Sequence, residues 1–404
     1  MIFDTEQYLK SKYKGFYQNH FITVDNIEKR EFGIGIFGKK IANRHLEFKN
    51  DYVFNDFLRR EIPFYVSCSV AYYNKPAARP MQAKELTGSD FIFEFDADDL
   101  PTKCKDKHDL WFCANCNCYG TGRLETCPNC KGNTKIEDYI CDECLEETKK
   151  QTKNLIDILI NELGFKKEEI SVSFSGHKGY HVKIKSEKVS KLTQEERNEL
   201  IDYITKTGLS NKRIEYKYPY FNAEGEIRKS FTEFISKQKT KDLVEMGIIP
   251  GFALKFVKSK KDAVNTLEKR KVLISILGND DKNKELWDKV IDSFLGDLKQ
   301  GSKLSIDTST SIDIFKIVRV PNTIHGGAAL ISKQIPLDTL DRFSPFVDAY
   351  PFNKNGNIKI YIEKLPQILI AGKPYGPYYK QLVELPENIA LYLLAKGAAD
   401  GVIL

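Results

Sequence analysis

Apolar and polar residues alternate in two short runs of the segment EISVSFSGHKGYHVKIK, residues 169–185. Ile170, Val172 and Phe174 alternate with polar neighbours, and so do Val182 and Ile184. A period of two marks half-buried strands. Pairing apolar with apolar predicts Phe174 opposite Val182 and Ser175 opposite His181, with 176–180 as the connecting loop. Just before it, LEETKKQTKNLIDILINELGF sets Leu155, Ile156, Leu159, Ile160 and Leu163 at helical spacing, and Gly164 stops that helix. Further upstream lies FIFEFDADDL, residues 91–100. Read as a strand, it points Phe91, Phe93 and Phe95 to one face and crowds Glu94, Asp96 and Asp98 on the other. In KLSIDTSTSIDIFKIVRVPNTIHGGAAL, residues 303–330, an alternating piece ends at Asp307. A strand-like run follows it, carrying Arg319 ahead of Pro321, with His325 and Gly326 beyond. The runs TQEERNELIDYI and ELWDKVIDSFLGDL are helical in pattern.

Composition sets the frame for these elements. A chain of 404 residues holds two to three domains, or one large α/β domain with an insertion, and its 41% hydrophobic residues supply ample core. No run approaches 18 consecutive apolar residues, so no membrane span is expected. The stretch MIFDTEQYLKSKYKGFY is charged and amphipathic and does not read as a signal peptide, so a cytoplasmic location is expected. The net charge of +6 says little about partners, although KFVKSKKDAVNTLEKRK at 255–271 is locally basic and suits either a solvated helix face or a polyanion.

The chemistry lies in three clusters. Like charges crowded at neighbouring positions repel, and a divalent cation held between the carboxylates of Glu94, Asp96 and Asp98 is the usual physical compensation. The turn at 176–180 places Ser175, Gly176, His177, Lys178 and His181 together. Its glycines admit close approach of a ligand, and free backbone N–H groups at such a turn bind anions. Eight of the nine cysteines fall between Cys104 and Cys144, in a compartment expected to be reducing, which reads as metal ligation and not as disulfides. Cys113 and Cys116 with Cys127 and Cys130 make a zinc ribbon, with Gly120 and Gly122 turning its hairpin. Cys104, His108, Cys141 and Cys144 close a second zinc site, and Cys118 is surplus or replaces a ribbon ligand. Sites closed by four protein ligands are scaffold.

These motifs together resemble the catalytic small subunit of archaeal and eukaryotic DNA primase. The DADDL pair, the SGHKGYH turn and the D-x11-R-x-P-x3-H segment stand in that family's order and spacing. EKREFGIGIFGKKIANRHLEF is similar to its Glu–Phe–Gly and Arg strand pair, SVAYYNKPAARPM to the lead into its aspartate strand, and CDECLEETKK to the end of its zinc motif. The tail YGPYYKQLVELPENIALYLLAKG resembles the close of longer archaeal members. The resemblance chooses Asp307 over Asp313 as third carboxylate. It implies that Asp96, Asp98 and Asp307 hold Mg²⁺ or Mn²⁺, and that Ser175, Gly176, His177, Lys178, His181, Arg319, His325 and Arg44 meet nucleoside triphosphate. Glu31 is implied to orient the incoming nucleotides, and Lys84 is a further candidate from its place before the strand. Arginine is common in that family where this chain has His177.

The resemblance further implies an α/β (α+β) fold of mixed sheets forming a cleft, with a zinc-bearing protrusion and a helical insert. The corresponding boundaries are 1–103 (with the aspartate strand), 104–144 (zinc insertion), 145–186 (phosphate turn), 187–300 (mainly helical insert) and 301–404 (completion of the catalytic domain and a C-terminal extension). The activity implied is synthesis of short RNA primers on single-stranded DNA for replication. The implied partner is a large subunit with an iron–sulfur cluster, acting among the replication machinery. A repair or end-joining polymerase of the same superfamily and a noncatalytic zinc-ribbon nucleic-acid-binding protein are the alternatives.

Overall fold

The structure is a computed structural model and describes residues 2–205, 304–352 and 356–403. The chain divides into two compact units, residues 1–198 with 305–404, and residues 199–304. Of the second unit, only residues 199–205, which complete the helix Gln194–Thr205, and Leu304 are described. The rest of the insert expected at 187–300, including ELWDKVIDSFLGDL and the basic run at 255–271, lies outside the described residues.

The first unit is built on antiparallel sheets flanked by helices, and every described strand pairing is antiparallel, as befits an α+β chain. One four-stranded sheet runs in the order Gln334–Ile335, Ile170–Phe174, Gly179–Ile184, Phe91–Asp96. Phe91, Phe93 and Phe95 are fully buried on one face of the aspartate strand, as their alternation predicts. Ile92 on the opposite face is buried against Val70 and Val318. Val318 belongs to a second four-stranded sheet, Ile317–Arg319, Tyr65–Ser69, Phe32–Ile36, Lys39–Leu46. The same face of the aspartate strand is therefore apolar where it meets that sheet and acidic beyond.

The register of the 170–184 hairpin differs from the one the alternation predicts. Phe174 stands opposite Tyr180, Ser173 opposite His181, and Val172 opposite Val182. The turn is two residues tighter than expected, because Ser175 N–H donates to the Gly179 carbonyl at 2.8 Å.

The helix Asp142–Asn161 covers this sheet with Leu145, Thr148, Thr152, Leu155, Ile156 and Leu159, one stripe at helical spacing. It ends close to the predicted stop, with Gly164 in the left-handed region at φ 67°. A third sheet joins Ile2–Phe3 and the C-terminal strands Asn357–Leu365, Tyr378–Pro386 and Asp400–Ile403, and the helix Glu387–Lys396 packs against it.

The cysteine-rich segment forms a small three-stranded sheet, Lys135–Glu137, Leu110–Phe112, Tyr119–Thr121. Gly120 lies inside a strand there and does not turn the hairpin. A Cβ at this position would stand 2.7 Å from Trp111 Nε1, so the residue is glycine because the indole covers it. Gly122, at φ 92°, does occupy a turn that disfavours a side chain.

Candidate active site

The aspartate strand and the hairpin strand beside it bring acid and base together. Gly179 pairs with Asp96, and the Ala97 N–H donates to the Lys178 carbonyl at 3.0 Å. A Cβ on Gly179 would fall 1.7 Å from the Phe95 carbonyl oxygen, so no larger residue fits this contact. Asp98 does not lie on the strand's polar face as predicted. A single 3₁₀ turn, Ala97–Asp99, ends the strand before it, and that turn aims Asp98 at the Lys178 ammonium, which it touches.

The carboxylates repel one another. Burial, then the charges of Glu94 and Asp98, push the Asp96 carboxyl up to about 6. Asp98 Oδ1 is buried without a hydrogen-bond partner among the described residues. Hard oxygen donors, one carboxylate (Asp96) without an ion-pair partner among the described residues and one orphaned oxygen on Asp98, fit a divalent cation. Glu94 is neutralised otherwise, by Lys316 at 3.0 Å, while His181, which burial keeps below its ordinary value, stands 3.8 Å from it through Nε2 without adding charge.

Asp307 is tethered to the same strand, its N–H donating to the Glu94 carbonyl at 3.3 Å. It caps the short helix Thr308–Ile312 and does not close a strand. Its carboxylate accepts from Thr310 N–H at 3.0 Å and from the hydroxyls of Ser309 and Thr310. Burial pushes its carboxyl up, but these donors outweigh burial and hold it low. Among the described residues, only the two cysteine groups bring three or more ligand atoms within 4.8 Å of one another. The three aspartates are neighbours without being drawn into one such cage. Asp313 accepts from Phe315 N–H at 2.8 Å and raises the acidity threshold of Tyr73, on the side of the second sheet.

The turn itself is organised by Ser175. The N–H groups of His177, Lys178 and Gly179 converge on its Oγ at 3.4, 3.3 and 3.1 Å, so the free backbone donors expected of the loop are already engaged. Gly176, at φ 86°, passes so close to His325 that a Cβ would meet that residue's Cβ at 2.8 Å. This approach stacks the His177 and His325 rings, centroids 5.0 Å apart. Burial holds both imidazoles well below their ordinary value, hence neutral. His325 Nδ1 accepts from Gly327 N–H at 3.2 Å, which leaves Nε2–H as its donor. His177 Nε2 is buried with no partner among the described residues.

Arg319 adds the strongest unmet demand. Among the described residues its Nε and Nη1 are buried without acceptors, and its guanidinium lies 4.9 Å from the Tyr65 ring centroid. Burial lowers it to about 10, still charged at neutral pH. A buried cation without an acceptor is costly unless an anion reaches it.

Glu31 and Arg44 form a separate group on the second sheet. Glu31 is fully buried and holds Arg44 Nε at 2.6 Å, His45 Nδ1 at 3.2 Å and Lys84 Nζ at 3.4 Å. Arg44 also donates to the Phe315 carbonyl at 3.0 Å. Among the described residues, no hydrogen bond joins this group to the 175–181 turn.

Cysteine spacing partitions the metal ligands as the structure does. Cys104, His108, Cys141 and Cys144 form one group, and Cys113, Cys116, Cys127 and Cys130 the other. Sulfur–sulfur separations of 3.3 to 3.8 Å suit a tetrahedron of thiolates about 2.3 Å from zinc. Cys118 stays outside both, and its Sγ receives Asn129 Nδ2 at 3.5 Å. Sequence reasoning missed Asp109, whose carboxylate holds His108 Nδ1 at 2.8 Å and so turns Nε2 toward Cys144. It also missed Lys316 and Asp138, which carry no local pattern because their partners are distant in the chain.

Comparison with known proteins follows the same lines. A family model described as DNA primase small subunit matches residues 126–335, just over half of the chain. The chain is 28% identical to the DNA primase small subunit PriS of Nitrosopumilus maritimus, covering 97% of this chain and 98% of the relative. It is 26% identical to that of Methanosarcina barkeri, over 98% and 96%. The Thermoplasma volcanium protein of the same name is 27% identical, over 98% of each.

Proposed function

The chain belongs to the DNA primase small-subunit family, and from there we propose that it is a DNA-directed RNA polymerase that starts short RNA primers on single-stranded DNA. The observation that supports this most is the pairing of Gly179 with Asp96, which sets a cation-bearing turn beside the acidic end of the strand. Polyphosphate chemistry needs both within one ligand's length.

In the reaction a 3′-hydroxyl gives up its proton, the O3′–Pα bond forms, and the bond from Pα to pyrophosphate breaks. Asp96, Asp98 and Asp307 would hold magnesium or manganese, which would supply Lewis-acid stabilisation of the hydroxyl oxygen and of the pyrophosphate charge. Arg319 and Lys178 neutralise the triphosphate, His325 Nε2 and His177 Nε2 donate to it, and Ser175 with Gly176 fix the turn that presents them. His181 beside Glu94 donates as charge moves to the leaving group. Glu31 orients Arg44 toward the incoming nucleotides. The two cysteine groups hold zinc as scaffold.

The family's description as a small subunit implies a large one, which by the resemblance carries the iron–sulfur cluster, and the pair acts on templates in the cytoplasm. Among the described residues, no helix is long and apolar enough to cross a membrane. The test is a template-dependent assay without primer, using ribonucleoside triphosphates and magnesium or manganese. Short RNA products are expected, lost in Asp96→Ala with circular dichroism unchanged. Extension of a supplied primer without initiation would make the chain a repair polymerase instead. DNA binding with neither activity would make it a zinc-ribbon binding protein.

A further inference from the structure

Asp138 stands at the end of the zinc-bearing segment, 40 residues before Lys178 in the chain and beside it in space. Its Oδ2 lies 2.8 Å from Lys178 Nζ and 3.9 Å from Lys396 Nζ on the C-terminal helix. Lys178 thus has two carboxylate partners, Asp138 and Asp98. The backbone that carries Asp138 is fixed in turn. The Tyr139 N–H donates to Asp109 Oδ1 at 3.1 Å, the oxygen that also holds His108 Nδ1, and His108 Nε2 sits 3.3 Å from Cys144 Sγ. A path of hydrogen bonds and adjacent residues, closed by the Asp138–Lys178 ion pair, therefore runs from the Cys104–His108–Cys141–Cys144 group to the ammonium at the turn.

We propose that Asp138 is a positioning residue, through which this cysteine–histidine group sets where Lys178 meets the triphosphate. The proposal rests on the reading that Lys178 binds triphosphate. Its physical basis is the division of labour between the two carboxylates. Asp98 belongs to the acidic cluster and is drawn toward whatever cation that cluster holds, whereas Asp138 has no such second task. When Asp98 is engaged, Asp138 alone keeps the long, flexible lysine from swinging away, and Lys396 keeps Asp138 itself in place. Without this anchor the ammonium samples solvent, and the cost of ordering it falls on nucleotide binding.

The alternative makes the opposite prediction. If Asp138 merely adds negative charge near the phosphate site, its removal tightens anion binding. The experiment measures equilibrium binding of ATP by displacement of a fluorescent analogue, without template, so that no bond forms. The proteins are wild type, Asp138→Asn, Lys178→Ala and the double variant. Asp138→Asn should weaken ATP by about two- to fivefold, the range of a partly exposed ion pair. In the Lys178→Ala background the same change should have no effect, because nothing is left to position. Unchanged or tighter binding in Asp138→Asn overturns the proposal, and so does an equal loss with and without Lys178. If Lys178→Ala itself binds ATP like wild type, the phosphate role of Lys178 fails instead, which separates the two readings.

Discussion

Asp96 shows how much a single residue gives up for a site. Its carboxyl, raised from 3.8 to about 6 by burial and by Glu94 and Asp98, carries a proton in the fold that the unfolded chain has already lost. Below about pH 4 both states are protonated and the group contributes nothing. Between there and 6 the folded state progressively fails to match the unfolded one, and above 6 it holds a charge at full cost. Asp96→Asn, assayed without added magnesium or manganese, should therefore melt higher than wild type at pH 7.5, by about 2–4 °C if the relief is near 1 kcal/mol. The advantage should vanish as pH falls to 4. A mutant that melts lower at pH 7.5 would mean that Asp96 is stabilised by contacts other than those seen. Activity should be lost in the same variant, so stability and function move in opposite directions at this position.

At the scale of elements, Gly179 decides a register. Its Cβ would meet the Phe95 carbonyl at 1.7 Å, while Gly164, at φ 67°, has open space around it. Gly179→Ala should cost about 3 kcal/mol or more by forcing the two strands apart, whereas Gly164→Ala should cost only about 1 kcal/mol, the strain of a left-handed alanine. Urea denaturation distinguishes them, and equal costs would contradict the close approach. The same hairpin marks the boundary of what was legible in the sequence. Period-two alternation identified both strands and their buried residues, yet a shift of two residues leaves that pattern unchanged. Only the closure from Ser175 to Gly179 and the hydroxyl that gathers three N–H groups select the true pairing, and neither leaves a periodic trace. Asp307 was read as a strand end for a similar reason: a helix of five residues is too short to show a period, and its cap is a local hydrogen-bond choice.

At the scale of the whole molecule, short motifs far apart in sequence were recognisable because each carries its own chemistry. The cysteines fall into the two groups that their spacing and the remainder suggested, and the carboxylate strand and the turn stood out, whereas Arg319 took its role from the family resemblance. The Lys316–Glu94 and Asp138–Lys178 contacts were not, since they join segments more than 39 residues apart with no shared pattern. The two cysteine groups also differ in their reach. Cys104, His108, Cys141 and Cys144 lie on the path to Lys178, whereas the ribbon group is packed around Trp111. Cys127→Ser with Cys130→Ser should release about one of two zinc ions and leave extension of a supplied primer intact. A variant that keeps both ions would show that these thiols are not ligands.

The unpartnered guanidinium of Arg319 has a thermodynamic consequence. A native state that buries a cation without an acceptor lies above the lowest free energy its own sequence can reach. On the proposal that Arg319 meets triphosphate, the ligand supplies the missing anion to the folded chain and not to the unfolded one, so that stability becomes a function of its concentration. At a hundredfold excess over the dissociation constant the gain is about 2.7 kcal/mol. Heat resistance of this protein is then a gauge of its nucleotide supply, and a cell short of triphosphates would hold its primer-starting subunit in a less durable form.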